Sequence, residues 1–160
     1  MFIYDILAKK GAGSKMGDGI TEITASWKGE STFIGHNSQG GIVQMGILDG
    51  KPGVGPMQLL LVALAGCTGM DIISILKKKN TDITEFQVRV RGTRADDHPM
   101  IWTQIHISYQ IWGNQIISKD VDQAIKLSEN KYCSVGIMLS KSTNITSDYS
   151  IMKPGELVNL

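Results

Sequence analysis

Residues 55–71 read GPMQLLLVALAGCTGMD, and the apolar run continues through Ile72, Ile73, Ile75 and Leu76 before ending in Lys77, Lys78 and Lys79. Pro56 stands where a proline favours the first helical turn, because its missing N–H is one the helix leaves unbonded anyway. Three lysines complement the negative end of a helix, and Asn80 is a suitable stop. The sequence therefore predicts one long helix over 57–76. About 20 apolar residues also suffice to cross a bilayer. Gln58, Thr68, Asp71 and Ser74 oppose that reading, and Asp71 alone would cost about 2.5–3.5 kcal/mol near the centre of a span. A helix apolar on nearly every side and interrupted in this way belongs at the centre of a soluble fold.

Upstream, β-type residues over Ile20–Trp27, then Thr32–Gly35 after the Lys28-Gly29-Glu30 turn, then Ile42–Met45 after Gly40-Gly41, predict a β-meander. Residues 50–55 (GKPGVG) form a loop into the helix. Downstream, Phe86–Thr93 alternates, with Phe86, Val88 and Val90 facing one way and Gln87, Arg89 and Arg91 the other. Ile101–Trp112 alternates again, placing Ile101, Ile105, Ile107, Tyr109 and Ile111 on one face. The connection TRADDHP (93–99) reads as a hairpin loop. Ser118 is expected to cap a helix with Asp120 and Asp122 in its first turn. A break near Asn130, a short helix over Tyr132–Ser140 and a closing strand over Asn144–Ile151 complete the chain. The order βββ-α-ββ-αα-β lacks regular βα alternation, so the fold class is α+β with a largely antiparallel sheet. Residues 20–160 form the expected single domain. Residues 1–19, Lys- and Gly-rich with Met16 as an alternative start, read as a leader or flexible arm.

Composition narrows the function. The chain has 160 residues, 42% of them hydrophobic and 19% charged, with a net charge of +1. No basic field exists to hold nucleic acid or an anionic membrane, so neither is an expected partner. The apolar content excludes intrinsic disorder. Two cysteines are too few for a disulfide-dense secreted scaffold, and no CxxC is present for a zinc ribbon or a thioredoxin-type motif. Asp5 and the lack of a preceding basic residue make Met1–Leu7 a poor signal peptide. The expected compartment is the cytoplasm.

Cys67 lies on the helical stripe Leu60–Leu64–Cys67–Asp71. Cys133 lies near the start of the last helix, two residues from Lys131, where free amides and the dipole favour a thiolate. Taken singly, each is a small hydrophobe. Taken with their surroundings they are more. The stretch Gly55–Asp71 resembles the first cysteine helix of the OsmC/Ohr superfamily, the osmotically inducible protein C and organic hydroperoxide resistance proteins. Leu127–Val135 (LSENKYCSV) resembles the second cysteine motif, and His98-Pro99 before a long strand fits as well. The likeness spans roughly residues 20–152. It implies an intertwined homodimer in which antiparallel sheets wrap two central helices, with active sites at the subunit interface. It also implies reduction of organic hydroperoxides: Cys67 as peroxidatic thiolate, Cys133 as resolving thiol, and a dithiol reductant to restore the pair. No cofactor and no metal is expected.

The chain departs from the family pattern in its activators. The resemblance calls for an arginine from the N-terminal sheet and a glutamate ten residues before the first cysteine. That glutamate position is Met57, with Gln58 beside it, and the arginines are Arg89, Arg91 and Arg94. Arg89 and Arg91, on the polar face of one strand, are the candidate substitute cations and His106 a candidate base, each against the commoner reading of a solvated surface side chain. A metal held by Cys67, Cys133 and one of His36, His98 or His106 has no diagnostic spacing behind it. Two readings follow: a weak or atypical thiol peroxidase, or a non-peroxidatic dimer whose apolar pocket around Met57, Leu60 and Cys67 takes a small acyl or thiol-bearing ligand.

Overall fold

The computed structural model describes residues 19–157, so the expected leader over 1–19 lies, apart from Gly19, outside the described residues. It divides into two compact units, one ending at Pro56 and one beginning at Met57.

In the first unit, β1 (Ile23–Gly29), β2 (Thr32–Asn37) and β3 (Ile42–Met45) form an antiparallel meander in that order. Asn37 holds the second turn, its Oδ1 accepting from the backbone N–H groups of Gln39 (3.0 Å) and Gly41 (2.8 Å). A small hairpin follows, β4 (Ile47–Leu48) with β5 (Lys51–Pro52). It turns at Asp49-Gly50, both at positive φ, the combination a tight two-residue hairpin turn requires. The loop expected over residues 50–55 thus contains the short strand β5.

The second unit contains α1 (Pro56–Lys78), β6 (Asp82–Arg94), β7 (Trp102–Asn114), α2 (Ser118–Leu127), a single π-helical turn (Ser128–Tyr132), α3 (Ser134–Leu139) and β8 (Asn144–Met152). Asn80 stops α1 as expected. It adopts φ 57°, and the N–H groups of Asn80 and Thr81 bond back to Lys77 O and Leu76 O, closing the orphan carbonyls of the last turn. The sheet order is β6-β7-β8, with β6 antiparallel to β7 and β8 parallel to it. This parallel pair is the exception to the antiparallel expectation. The helical segments between β7 and β8 carry the chain back to its starting end, so β8 must run the same way as β7.

Leu64, Thr68, Ile72 and Leu76 recur every four residues along one face of α1 and are all buried. They pack into one core with Ile105, Ile107, Tyr109 and Ile111 of β7 and Val121, Ala124 and Ile125 of α2. Gly69 lets this face come close to the sheet, since a Cβ there would already touch Phe86 and Val88 at 3.4 Å. Each fully buried aliphatic side chain contributes about 1.5–3 kcal/mol. On the opposite stripe of α1, Val62 is 56% and Met70 71% exposed, and Gly66 has open space around it among the described residues. By length and composition α1 is apolar enough to cross a membrane. Its packed face and the hydrogen-bonded Asp71 make it instead the core helix of this unit.

Two sequence expectations change. Ser118 is the first residue of α2 rather than its cap; Ile117 holds the cap position, with no side-chain cap bond. Ile101 precedes β7 and is exposed, while Trp102 and Trp112, on the other parity, are buried. Their indole N–H groups donate to Met57 O (3.1 Å) and Glu156 O (2.8 Å), tying the two ends of β7 to neighbouring segments. Replacing fully buried Ile72 by Ala should destabilise the fold by about 2–5 kcal/mol in denaturant titrations.

Candidate functional site

Cys67 and Asp71 are one helical turn apart on α1, so their side chains stand side by side on one face. Across from them the chain leaves the π-helical turn and enters α3 at Cys133, which occupies the N-cap position. Its Sγ accepts the Gly136 N–H at 3.2 Å. The sulfur atoms of Cys67 and Cys133 and a carboxylate oxygen of Asp71 all lie within 4.8 Å of one another. Both cysteines are free; Cys67 is half-buried and Cys133 buried. Gly136 makes room for the second thiol, because a Cβ there would lie 3.3 Å from its Sγ.

A chain of hydroxyls backs the cluster. Tyr109 Oη and Thr68 Oγ1 are 2.7 Å apart, and Ser128 Oγ lies 3.2 Å from Thr68 Oγ1 and 3.0 Å from Asp71 Oδ2. Ser128 has one proton for two neighbours. Ser128 Oγ is the donor towards both and shares that proton between them, an ionised Asp71 can only accept, and between Thr68 and Tyr109 either hydroxyl can donate. Burial pushes the Tyr109 pKa up, which keeps its phenol a proton donor. A cavity of about 270 Å³ opens beside this chain, lined by Leu64, Thr68, Tyr109, Glu129, Cys133 and Gly136 among others. None of its lining residues is Arg, Lys or His.

Burial first, and then the hydrogen bond with Cys67, pushes the Cys133 thiol from 9.0 up to about 12. The sequence expectation that Cys133 ionises readily at its helix start is therefore overturned. With α3 only six residues long and the thiol out of water, desolvation outweighs the helix end and the single N–H bond. The expected substitute activators are elsewhere. His106 is half-buried on β7, bonded through Nδ1 to Thr146 Oγ1 (2.8 Å) and through Nε2 to Asp148 Oδ2 (3.0 Å). Arg89 and Arg91 pair with Ser108 and His106 across the β6/β7 ladder and do not line the cavity. His98 is exposed in the β6–β7 connection, and His36 belongs to the first unit. Among the described residues it is Asp71, not a histidine, that joins the two thiols. The cavity is also not the apolar pocket around Met57, Leu60 and Cys67 that the sequence suggested, since none of those three lines it. Sequence reasoning used Asp71 only as a mark against a membrane span and as a point on the cysteine stripe. It gave Thr68, Tyr109 and Ser128 no part in the site.

The OsmC-like protein family model matches residues 48–148, a span that takes in both cysteines and everything between them. The chain belongs to the OsmC-like family. Protein YhfA of Escherichia coli K12 is 32% identical over 126 residues, covering 79% of this chain and 94% of that protein. A hypothetical protein of Aquifex aeolicus, known by crystal structure, superimposes with a TM-score of 0.75 at 34% identity, covering 84% of this chain and 97% of that one. The organic hydroperoxide resistance protein OhrB of Bacillus subtilis shares the OsmC-like fold at 13% identity, with a TM-score of 0.57 over 82% of this chain and 98% of its own.

A thiol held protonated only in the folded state contributes stability that is complete below the unfolded pKa and lost as pH rises towards the folded one. For Cys133 that window runs from about pH 9 to about pH 12. Denaturant titrations across it should show stability falling with rising pH, and Cys133→Ala should flatten the start of the decline. Iodoacetamide at about pH 8 should label Cys67 alone in native protein and Cys133 only after unfolding, as read by intact mass.

Proposed function

We propose that this OsmC-like protein reduces organic hydroperoxides through a Cys67/Cys133 dithiol–disulfide cycle. The observation that carries the reading is the convergence of two free thiols, distant in sequence, to within 4.8 Å. Cys67 is the nucleophile: it is the half-buried thiol of the pair, while Cys133 is buried and protonated. The Cys67 thiolate attacks the distal peroxide oxygen, the O–O bond breaks, and the alkoxide leaves to take up a proton as alcohol. Cys67 is then a sulfenic acid. Cys133 attacks that sulfur, an S–S bond forms, and hydroxide leaves as water with the Cys133 proton. A dithiol reductant returns the pair to two thiols.

Among the described residues that line the adjoining cavity there is no Arg, Lys or His to stabilise an attacking thiolate, and the Asp71 carboxylate stands beside the two sulfurs. Turnover at neutral pH is accordingly slow, and its rate rises with the thiolate fraction. Two free thiols within disulfide reach suit a reducing compartment, so a cytoplasmic location belongs to this reading.

One equivalent of an organic hydroperoxide added to reduced protein should remove two hydrogens by non-reducing intact mass, faster at higher pH. Cys67→Ser should abolish the change, and Cys133→Ser should give in its place a gain of one oxygen. No mass change in the unaltered protein over minutes would overturn the reading.

The homodimer is part of the same proposal, supported by family membership and by the opposite stripe of α1. Ala63 and Gly66 are small enough to let a second helix approach, and Val62 and Met70 are large apolar groups left in water. Sedimentation at micromolar concentration should give a dimer, and Met70→Glu should shift it towards monomer.

A further inference from the structure

The cluster has a property that a peroxide-reducing pair does not need. Three potential anions, Cys67 Sγ, Cys133 Sγ and an Asp71 oxygen, share a space within 4.8 Å, and none of the residues lining the adjoining cavity offers a positive charge. Ionising any two of them there is opposed by their mutual repulsion in a poorly solvated setting. A bound cation removes that opposition for all three together.

We propose that Cys67, Asp71 and Cys133 bind a thiophilic divalent cation of the zinc class. Two sulfurs and one carboxylate oxygen form a donor set that zinc accepts, with its fourth position left open. Tetrahedral zinc places such donors about 3.5–3.8 Å apart. Closing from 4.8 Å takes about 1 Å, within reach of side-chain rotation at Cys67 and Asp71, both only half-buried. The outer contacts are those a metal site uses to orient its ligands. Ser128 holds Asp71 at 3.0 Å, Thr68 and Tyr109 continue the chain behind it, and the Gly136 N–H points at Cys133 Sγ. The spacing of the two ligands on α1 fixes their common face, and the helix core behind them fixes its position. The site stands on this geometry. Its consequence for turnover, that a bound ion occupies both thiols and suppresses disulfide formation, rests on the peroxide reading.

Cobalt(II) serves as the probe. Titrated into reduced, chelator-treated full-length protein, it should produce thiolate-to-cobalt charge-transfer absorption that saturates at one equivalent per chain and disappears on adding zinc. Asp71→Asn and Ser128→Ala, both conservative in volume, should each weaken binding by about tenfold or more while retaining the absorption at saturation. Cys133→Ser should reduce the absorption and Cys67→Ala likewise, with circular dichroism confirming that the variants are folded. Absence of charge-transfer absorption in the unaltered protein, or affinity unchanged in both Asp71→Asn and Ser128→Ala, would overturn the proposal. The hydroperoxide reaction is measured on metal-free protein, so either reading fails without the other.

Discussion

One face of α1 has to be buried, and much else follows from where that face lies. Leu64, Thr68, Ile72 and Leu76 sit against β7 and α2, and the rotation they impose leaves Cys67 and Asp71 at the margin of the packed face. Thr68 is the pivot, because it is buried among aliphatic neighbours yet needs a hydrogen-bond partner. Tyr109 and Ser128 supply it. Through Ser128 the same network reaches Asp71, so core packing and site geometry are one structural problem. The second cysteine is placed by a different device, the N-cap of a short helix directly after the π-helical turn, with Gly136 keeping the space around its sulfur clear.

The electrostatics of this arrangement distinguish it from the pattern its sequence resembles. A thiolate needs a counter-charge or a hydrogen-bond donor, and here the neighbourhood supplies a carboxylate, three hydroxyls and one backbone N–H to Cys133. Burial raises the Cys133 pKa far more than that N–H lowers it. Cys133 is therefore held as a thiol in the folded chain. The two proposals, slow reaction with peroxide and affinity for a thiophilic cation, both start from the cavity lining, which among the described residues carries no Arg, Lys or His.

Much of the fold was legible because its signals are local. Pro56, the apolar run and the three lysines mark out α1, Asn80 takes the left-handed stop, and alternation finds β6 and β7. The first residues of β6 escaped notice because a register shift between Ile83 and Glu85 breaks the alternation there. The β4/β5 hairpin has two residues per strand, too few for any periodicity, although Asp49-Gly50 carried its turn signal. The parallel pairing of β8 was not legible, since strand direction is set by the return path through α2 and α3 and not by the strand's own residues. At the site, the two cysteine motifs identified the thiols. Asp71 was visible one turn beyond Cys67 but had no assigned partner. Ser128, Thr68 and Tyr109 came together only through tertiary packing, and the ionisation of Cys133 was misjudged because a helix start is local while desolvation is not.

The central claim is that Cys67 and Cys133 of one chain form a single site. Its most direct test is diamide oxidation of the reduced protein followed by non-reducing peptide mapping. The account predicts one linked peptide pair, joining the Cys67 and Cys133 segments within the same chain. Two unlinked peptides, or a Cys67–Cys67 bridge between chains, would contradict it.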